Sequence, residues 1–181
     1  MFDQKMVIPS IRNLKDLEKA LYSGSEYLLL SEVHIGNLQD LTKKCHQLNK
    51  KVLVHLDLIE GLAKDAKGVK WLKEMYKVDG VISPNIRILN SAKKMGLICI
   101  YRVFLLDSRS LDQALISLKH LDLDGVEVLP GIFAINFIEE FLNVNTKIPL
   151  LAGGFLNTQQ KIDCVFEAGF NAVTTSNKEL W

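Results

Sequence analysis

Asp79-Gly80-Val81-Ile82-Ser83, then a polar segment with Ile86, Leu89 and Ala92 on one side, then Gly96, then the apolar run 97–105: this stretch reads strand, helix, strand. Apolar residues three apart predict an amphipathic helix, and the runs on either side have strand length. Gly96 is placed to end the helix, because glycine takes the left-handed backbone of a helix C-terminus without a steric clash. Two apolar strands separated by one covering helix predict parallel neighbours in a sheet.

The same alternation extends in both directions. Towards the N-terminus, the strand at 52–58 precedes a helix at 68–76 with Val69, Leu72 and Met75 apolar and Lys70, Lys73 and Lys77 polar. Before it, the strand at 26–31 precedes a lysine-rich helix carrying Leu38, Leu41 and Leu48, and a short strand at 6–8 precedes a helix carrying Leu14, Leu17 and Leu21. Towards the C-terminus, Leu111, Ala114, Leu115 and Leu118 mark a helix. A strand at 124–128 is followed by Ile135, Ile138 and Leu142, and one at 149–152 by Ile162, Val165 and Phe166, before an eighth strand at 171–174. Gly24 and Gly169 punctuate the units as Gly96 does.

Eight strands alternating with helices fit a closed (β/α)8 barrel of the TIM type or a doubly wound open sheet, and the count favours the barrel. No linker or composition shift interrupts residues 1–181, so the expectation is a compact α/β single domain. About 23 residues per unit is short for this fold, which predicts tight loops and a truncated last helix at 177–181.

Composition narrows the functional classes. The chain has 22 basic and 21 acidic residues, so no overall field drives it onto nucleic acid or anionic lipid. The first hundred residues nevertheless carry 16 basic and 11 acidic side chains against 6 and 10 in the remainder. Cys45, Cys99 and Cys164 lie far apart and lack metal-ligand spacing, which suits a reducing compartment better than a disulfide framework. No apolar run reaches the ~18 residues of a membrane span, and the first residues do not resemble a signal peptide, so a cytoplasmic location is expected with no membrane partner.

In such a barrel, chemistry sits where the strands end. Period two points His55 and Asp57 the same way, into the mouth, with Glu60 just beyond and Leu56 and Leu58 facing the helices. His55, Asp57 and Glu60 could bind a polar ligand, or a divalent ion through the carboxylates, or form a hydrogen-bonded layer that only sets the barrel's shape. Arg102 and Glu127, on adjacent strands, could contact the ligand or simply pair, because an unpaired buried charge is costly. Gly153-Gly154 after the seventh strand and Thr175-Ser176-Asn177 after the eighth form the strongest signal. Phosphate sites of this fold use these loops, whose glycines let backbone N–H groups approach the anion. An ordinary turn followed by a helix cap is the plainer alternative. Lys67, Lys70, Lys73 and Lys77 recur at helical spacing and could meet RNA phosphates, although such stripes are commonly solvated surface and aromatic platforms are sparse in the sequence.

Taken together, several segments resemble the glycerol-3-phosphate-responsive antiterminators, bacterial RNA-binding regulators of glycerol uptake operons. The resemblance rests on Ile11-Arg12-Asn13, the run from His55 to Leu62, Lys64-Asp65, Asp79 to Ser83, Arg102 to Ser108, Val126 to Gly131, Ala152-Gly153-Gly154, and Thr175-Ser176-Asn177 with Leu180-Trp181. It implies a non-catalytic barrel that needs no cofactor, senses glycerol 3-phosphate and, when loaded, binds leader mRNA to control genes of glycerol metabolism. Gly153, Gly154, Thr175, Ser176 and Asn177 would then take the phosphate, and His55, Asp57, Glu60, Arg102 and Glu127 the polyol. The chain departs from the family pattern at Ser83-Pro84-Asn85, at Ile132-Phe133-Ala134-Ile135, which lacks an expected Pro-Lys pair, and in the loop 31–36. The alternative is an enzyme of similar architecture, such as a glycerophosphodiester hydrolase holding a divalent metal on Asp57, Glu60 and Glu127 with His55 as acid or base. The sequence leaves oligomeric state open.

Overall fold

The computed structural model describes residues 2, 4–119, 121–144 and 148–181. Ten strands form in chain order: β1 (Met6–Ile11), β2 (Tyr27–Leu30), β3 (Val33–His34), β4 (Lys51–His55), β5 (Ile59–Glu60), β6 (Gly80–Ser83), β7 (Ile98–Phe104), β8 (Gly125–Leu129), β9 (Leu150–Gly153) and β10 (Ala172–Thr175). Eight of them close a parallel barrel in the order β1, β2, β4, β6, β7, β8, β9, β10 and back to β1. The remaining pair, β3 and β5, makes a small parallel ribbon with Val33 opposite Ile59 and His34 opposite Glu60.

The helices are α1 (Leu17–Leu21), α2 (Ile35–Gln47), α3 (Ala66–Glu74), α4 (Ile86–Lys94), α5 (Ser108–Leu118), α6 (Gly131–Ala134), α7 (Ile138–Val144) and α8 (Gln159–Ala168). At several of them a side chain at the first turn satisfies backbone N–H groups that have no partner within the helix. Asp65 accepts from Lys67 and Gly68 at the start of α3, Asn85 from Arg87 and Ile88 at α4, and Asp107 with Ser110 closes a capping box on α5. The sixth helix of the sequence reading is split into α6 and α7 by a 3-10 turn at Ile135–Phe137, and the last is one 3-10 turn at Lys178–Leu180.

Period two sorts the strand residues into two cores. Val52, Val54, Val81, Val103, Val126, Val128 and Val173 point outward and pack against Leu38, Leu72, Leu89, Phe141 and Ile162 of the helices. Ile8, Leu29, Leu53, Ile82, Ile100, Leu151 and Ala172 point inward and fill the barrel. Below them Phe2, almost fully buried, lies against Tyr27 with ring centroids 5.3 Å apart and closes the N-terminal end. Two residues further along several of these strands the inward position turns polar: Ser10 after Ile8, His55 after Leu53, Arg102 after Ile100, Thr174 after Ala172. That step from an apolar to a polar layer makes the floor of a site.

Two expectations need correction. The third predicted strand does not run to residue 58: it stops at His55, and Leu56–Leu58 is a 3-10 turn. Period two therefore does not carry over to Asp57, and Leu58 is exposed instead of facing the helices. Met75, read as part of the apolar helix face, is 57% exposed.

Candidate ligand site at the barrel mouth

A cavity of about 570 Å³ opens at the C-terminal ends of the strands, within the size range of small-molecule sites. Its floor is built around Glu127, whose side chain is fully buried on β8. Thr174 Oγ1 donates to Glu127 Oε1 at 2.7 Å. Arg102 Nε, on the paired position of β7, lies 3.1 Å from Glu127 Oε2, and His55 Nε2 lies 3.5 Å from the same oxygen. Burial, the largest single influence, pushes the Glu127 carboxyl up, but His55, Arg102 and Thr174 together outweigh it and hold it below its ordinary value. Glu127 is therefore a carboxylate at neutral pH.

Gly153 makes this arrangement possible. A Cβ there would come within 2.6 Å of Thr174 Oγ1 and 2.8 Å of Glu127 Oε1, so the carboxylate occupies space that a side chain would fill. The floor is not saturated internally. Among the described residues, both nitrogens of His55, Arg102 Nε and Glu127 Oε2 lack an aligned hydrogen-bond partner, although buried polar atoms normally have one. All four belong to side chains lining the cavity, where Arg102 Nε and His55 Nε2 meet Glu127 Oε2 through charge.

The walls come from the loops after β9 and β10. These loops are tied together: Thr175 Oγ1 donates to the Leu156 carbonyl at 2.6 Å and Asn177 Nδ2 to the Asn157 carbonyl at 2.9 Å. Trp181 Nε1 donates to the Thr175 carbonyl at 2.8 Å, pinning the chain's end over the turn. Gly154 has φ of +78°, the left-handed state glycine accepts most readily, and brings Phe155 over the mouth, 77% exposed. Next to β10, at the ends of β1 and β2, Ser10 and Ser31 share a hydrogen bond of 2.6 Å, and Arg12 Nε contacts Glu32 Oε1 at 2.7 Å at the edge.

Of the residues read from the sequence, His55, Arg102, Glu127, Gly154, Thr175, Ser176 and Asn177 all line this one cavity. Gly153 lies behind its wall. Asp57 does not reach it, and accepts a hydrogen bond from Ser83 Oγ at 2.8 Å instead. Glu60, held in the β3–β5 ribbon, does not line it but borders an adjoining recess with His34 and Asn37, reached past Arg12, Glu32 and Leu58. Asp57, Glu60 and Glu127 thus do not gather as the alternative metal set requires; among the described residues no three His, Cys, Asp or Glu side chains converge to hold an ion. Pro84, Asn85 and Ile135, where the chain departs from the family pattern, are absent from the cavity wall.

Sequence reasoning missed Ser10, Ser31 and Glu32 as wall residues. The apolar-to-polar step at Ile8/Ser10 and Leu29/Ser31 was the available signal. Lys67, Lys70 and Lys73 lie on α3 and Lys77 follows it; Lys73 donates to the Gly96 carbonyl at 3.3 Å, and Lys70 faces Glu74 at 3.8 Å. Among the described residues no helix is long and apolar enough to cross a membrane.

Fold and site together define a TIM-type barrel with a polar cavity at its mouth. The chain belongs to the glycerol-3-phosphate responsive antiterminator family, whose profile matches residues 7–181. It is similar to the glycerol uptake operon antiterminator regulatory protein of Listeria monocytogenes, at 34% identity over 97% of this chain and 94% of that one, with a TM-score of 0.90. A glycerol uptake operon antiterminator-related protein of Thermotoga maritima is 24% identical, with a TM-score of 0.84 over 100% and 99% of the two chains. The uncharacterized protein YgcP of Escherichia coli K12 is 27% identical over 98% of this chain and 92% of its own length.

Proposed function

We propose that this protein is a non-catalytic, ligand-gated regulator that binds glycerol 3-phosphate at the barrel mouth and leader mRNA elsewhere, acting in the cytoplasm on genes of glycerol metabolism. The observation that carries the proposal is the unsatisfied polar floor of His55, Arg102 and Glu127 beneath the joined loops after β9 and β10. A polyol hydroxyl both donates and accepts, so it can serve the Glu127 carboxylate and the Arg102 and His55 nitrogens together. The phosphate then lies towards Gly154, Ser176 and Asn177.

Arg12 supplies the switch in this reading. It is paired with Glu32 at the edge of the cavity, and a dianion can take that guanidinium in bidentate fashion. Exchange of Glu32 for phosphate frees the short segment between β2 and β3. Ligand thereby favours one arrangement of the rim over another by its differential contacts. The dispersed carboxylates give the hydrolase reading no comparable support.

Isothermal titration with glycerol 3-phosphate, with glycerol and inorganic phosphate as controls, tests the sensor half; no heat at millimolar ligand rejects it. The RNA half predicts ligand-dependent retention of a terminator-containing leader transcript, with affinity falling as salt rises because phosphate neutralisation releases counterions. Equal retention with and without ligand rejects the switch.

A further inference from the structure

Away from the barrel mouth, one groove joins an apolar floor to a basic and amide-bearing wall. It has a volume of about 460 Å³ and lies between α2 and the end of α3. Gln39, Lys43 and Gln47 recur every four residues, so they form one row about 12 Å long on α2. Met75 and Tyr76 make the floor, held in place where Thr42 Oγ1 donates to the Tyr76 carbonyl at 2.7 Å, and Lys77 closes one end.

The apolar surface continues out of the groove. Trp71 precedes Met75 by one helical turn and is 55% exposed, while the core-facing side of α3 is supplied by Val69 and Leu72. Lys67 lies one further turn back. Among the described residues Lys43, Lys67 and Lys77 have no ion-pair partner, as is also true of Lys44, Lys64 and Lys94, whereas Lys50, Lys51, Lys70, Lys73 and Lys93 are engaged locally. Lys77 has φ of +54°, a state glycine holds with less strain, so local backbone preference does not account for a lysine there.

We propose that this face binds single-stranded RNA, one base stacking on Trp71 and the next entering the groove over Met75 and Tyr76, with backbone phosphates against Lys43, Lys67 and Lys77. It rests on the RNA half of the function proposed above and adds where the strand lies. An aromatic ring flanked by cations suits a single strand, since every base offers a π-face for stacking and the backbone supplies the countercharge. Gln39 and Gln47 offer amides to base edges. An apolar protein partner would have to bury the three unpaired ammonium groups, which charge complementarity disfavours.

The test uses the full chain with 12-nucleotide oligo(A) and oligo(U) RNA at saturating glycerol 3-phosphate. The chain has two tryptophans, so fluorescence quenching on titration is assigned by comparison with Trp71→Phe. Quenching in the wild type and its loss in Trp71→Phe are expected. Fluorescence anisotropy with labelled oligonucleotide should show Trp71→Ala weakening binding about tenfold, within the range of one stacked base. Lys43→Glu with Lys67→Glu should weaken it further and flatten its salt dependence. Lys77→Gly, which suits the local backbone, should weaken binding with no loss of folding. Glycerol 3-phosphate titrations unchanged in all variants would show that the barrel is intact. Undiminished RNA binding in these variants overturns this surface while leaving the sensor and RNA reading standing; failure of the wild type to bind either oligonucleotide overturns the surface as well.

Discussion

Replacing Glu127 with glutamine tests whether the cavity floor is held by charge. The amide keeps the shape of the carboxylate and can still accept from Thr174 Oγ1, but it leaves Arg102 without its counter-charge. Removing one partner of a buried ion pair costs about 3–5 kcal/mol. Arg102 is 17% exposed at its side chain and the Thr174 bond survives, so the lower end, about 3 kcal/mol, is expected. For a chain of this size that is a fall in Tm of about 6–12 °C at pH 7. Because the Glu127 carboxyl sits below its ordinary value of 4.5 in the folded protein, the stability it contributes is complete above that value and is lost as pH falls through the lowered one. The difference in Tm between wild type and E127Q, followed by circular dichroism, should therefore be widest near neutrality and narrow below pH 4.5. Equal stability at pH 7, or a difference that widens in acid, would refute the charged floor.

Three further outcomes follow from the same geometry. Arg12→Ala should weaken glycerol 3-phosphate binding by about tenfold to a hundredfold in calorimetry, the loss of one charge-assisted contact, while leaving Tm nearly unchanged because the Arg12–Glu32 pair is exposed. Gly153→Ala should destabilise the protein by about 1–3 kcal/mol and abolish ligand binding, since its Cβ collides with Thr174 and Glu127; wild-type affinity in that variant would contradict the described packing. At pH 8 a thiol reagent should modify exposed Cys164 quickly and leave Cys45 and Cys99 untouched until denaturant is added. Burial, helped by Asp79 and Asp124 respectively, pushes these thiols up to about 11 and about 12.

The barrel was legible because its signals are local and repeated. Apolar runs of strand length recur eight times and helix faces at three-to-four-residue spacing seven times, with Gly24, Gly96 and Gly169 between units, and Gly96 and Gly169 do take positive φ. The floor of the site was partly legible for the same reason: Arg102 and Glu127 stand out as charges inside apolar strands, and pairing of β7 with β8 sets them side by side. What failed were the places where a strand ends. Nothing in His55-Leu56-Asp57-Leu58 announces that the ladder gives way to a 3-10 turn after His55, so Asp57 was read into the mouth and Leu58 out of it. Glu60 was misplaced because the β3–β5 ribbon forms between two-residue segments too short to show a period. Ser10 and Ser31 escaped notice because a lone serine in an apolar strand looks like tolerated filler until its inward parity is known. Trp71 hid within a helix whose lysines drew the attention, and only its exposure separates it from a core residue.

The plug at the base of the barrel has a kinetic corollary. With Phe2 and Tyr27 sealing one end, the central cavity is, among the described residues, a blind well entered from the mouth. Whatever covers that mouth, whether a shifted loop bearing Phe155 or a macromolecule resting on the rim, must slow escape and capture alike. The dwell time of a small molecule added to the protein would then gauge how the top of the barrel is dressed.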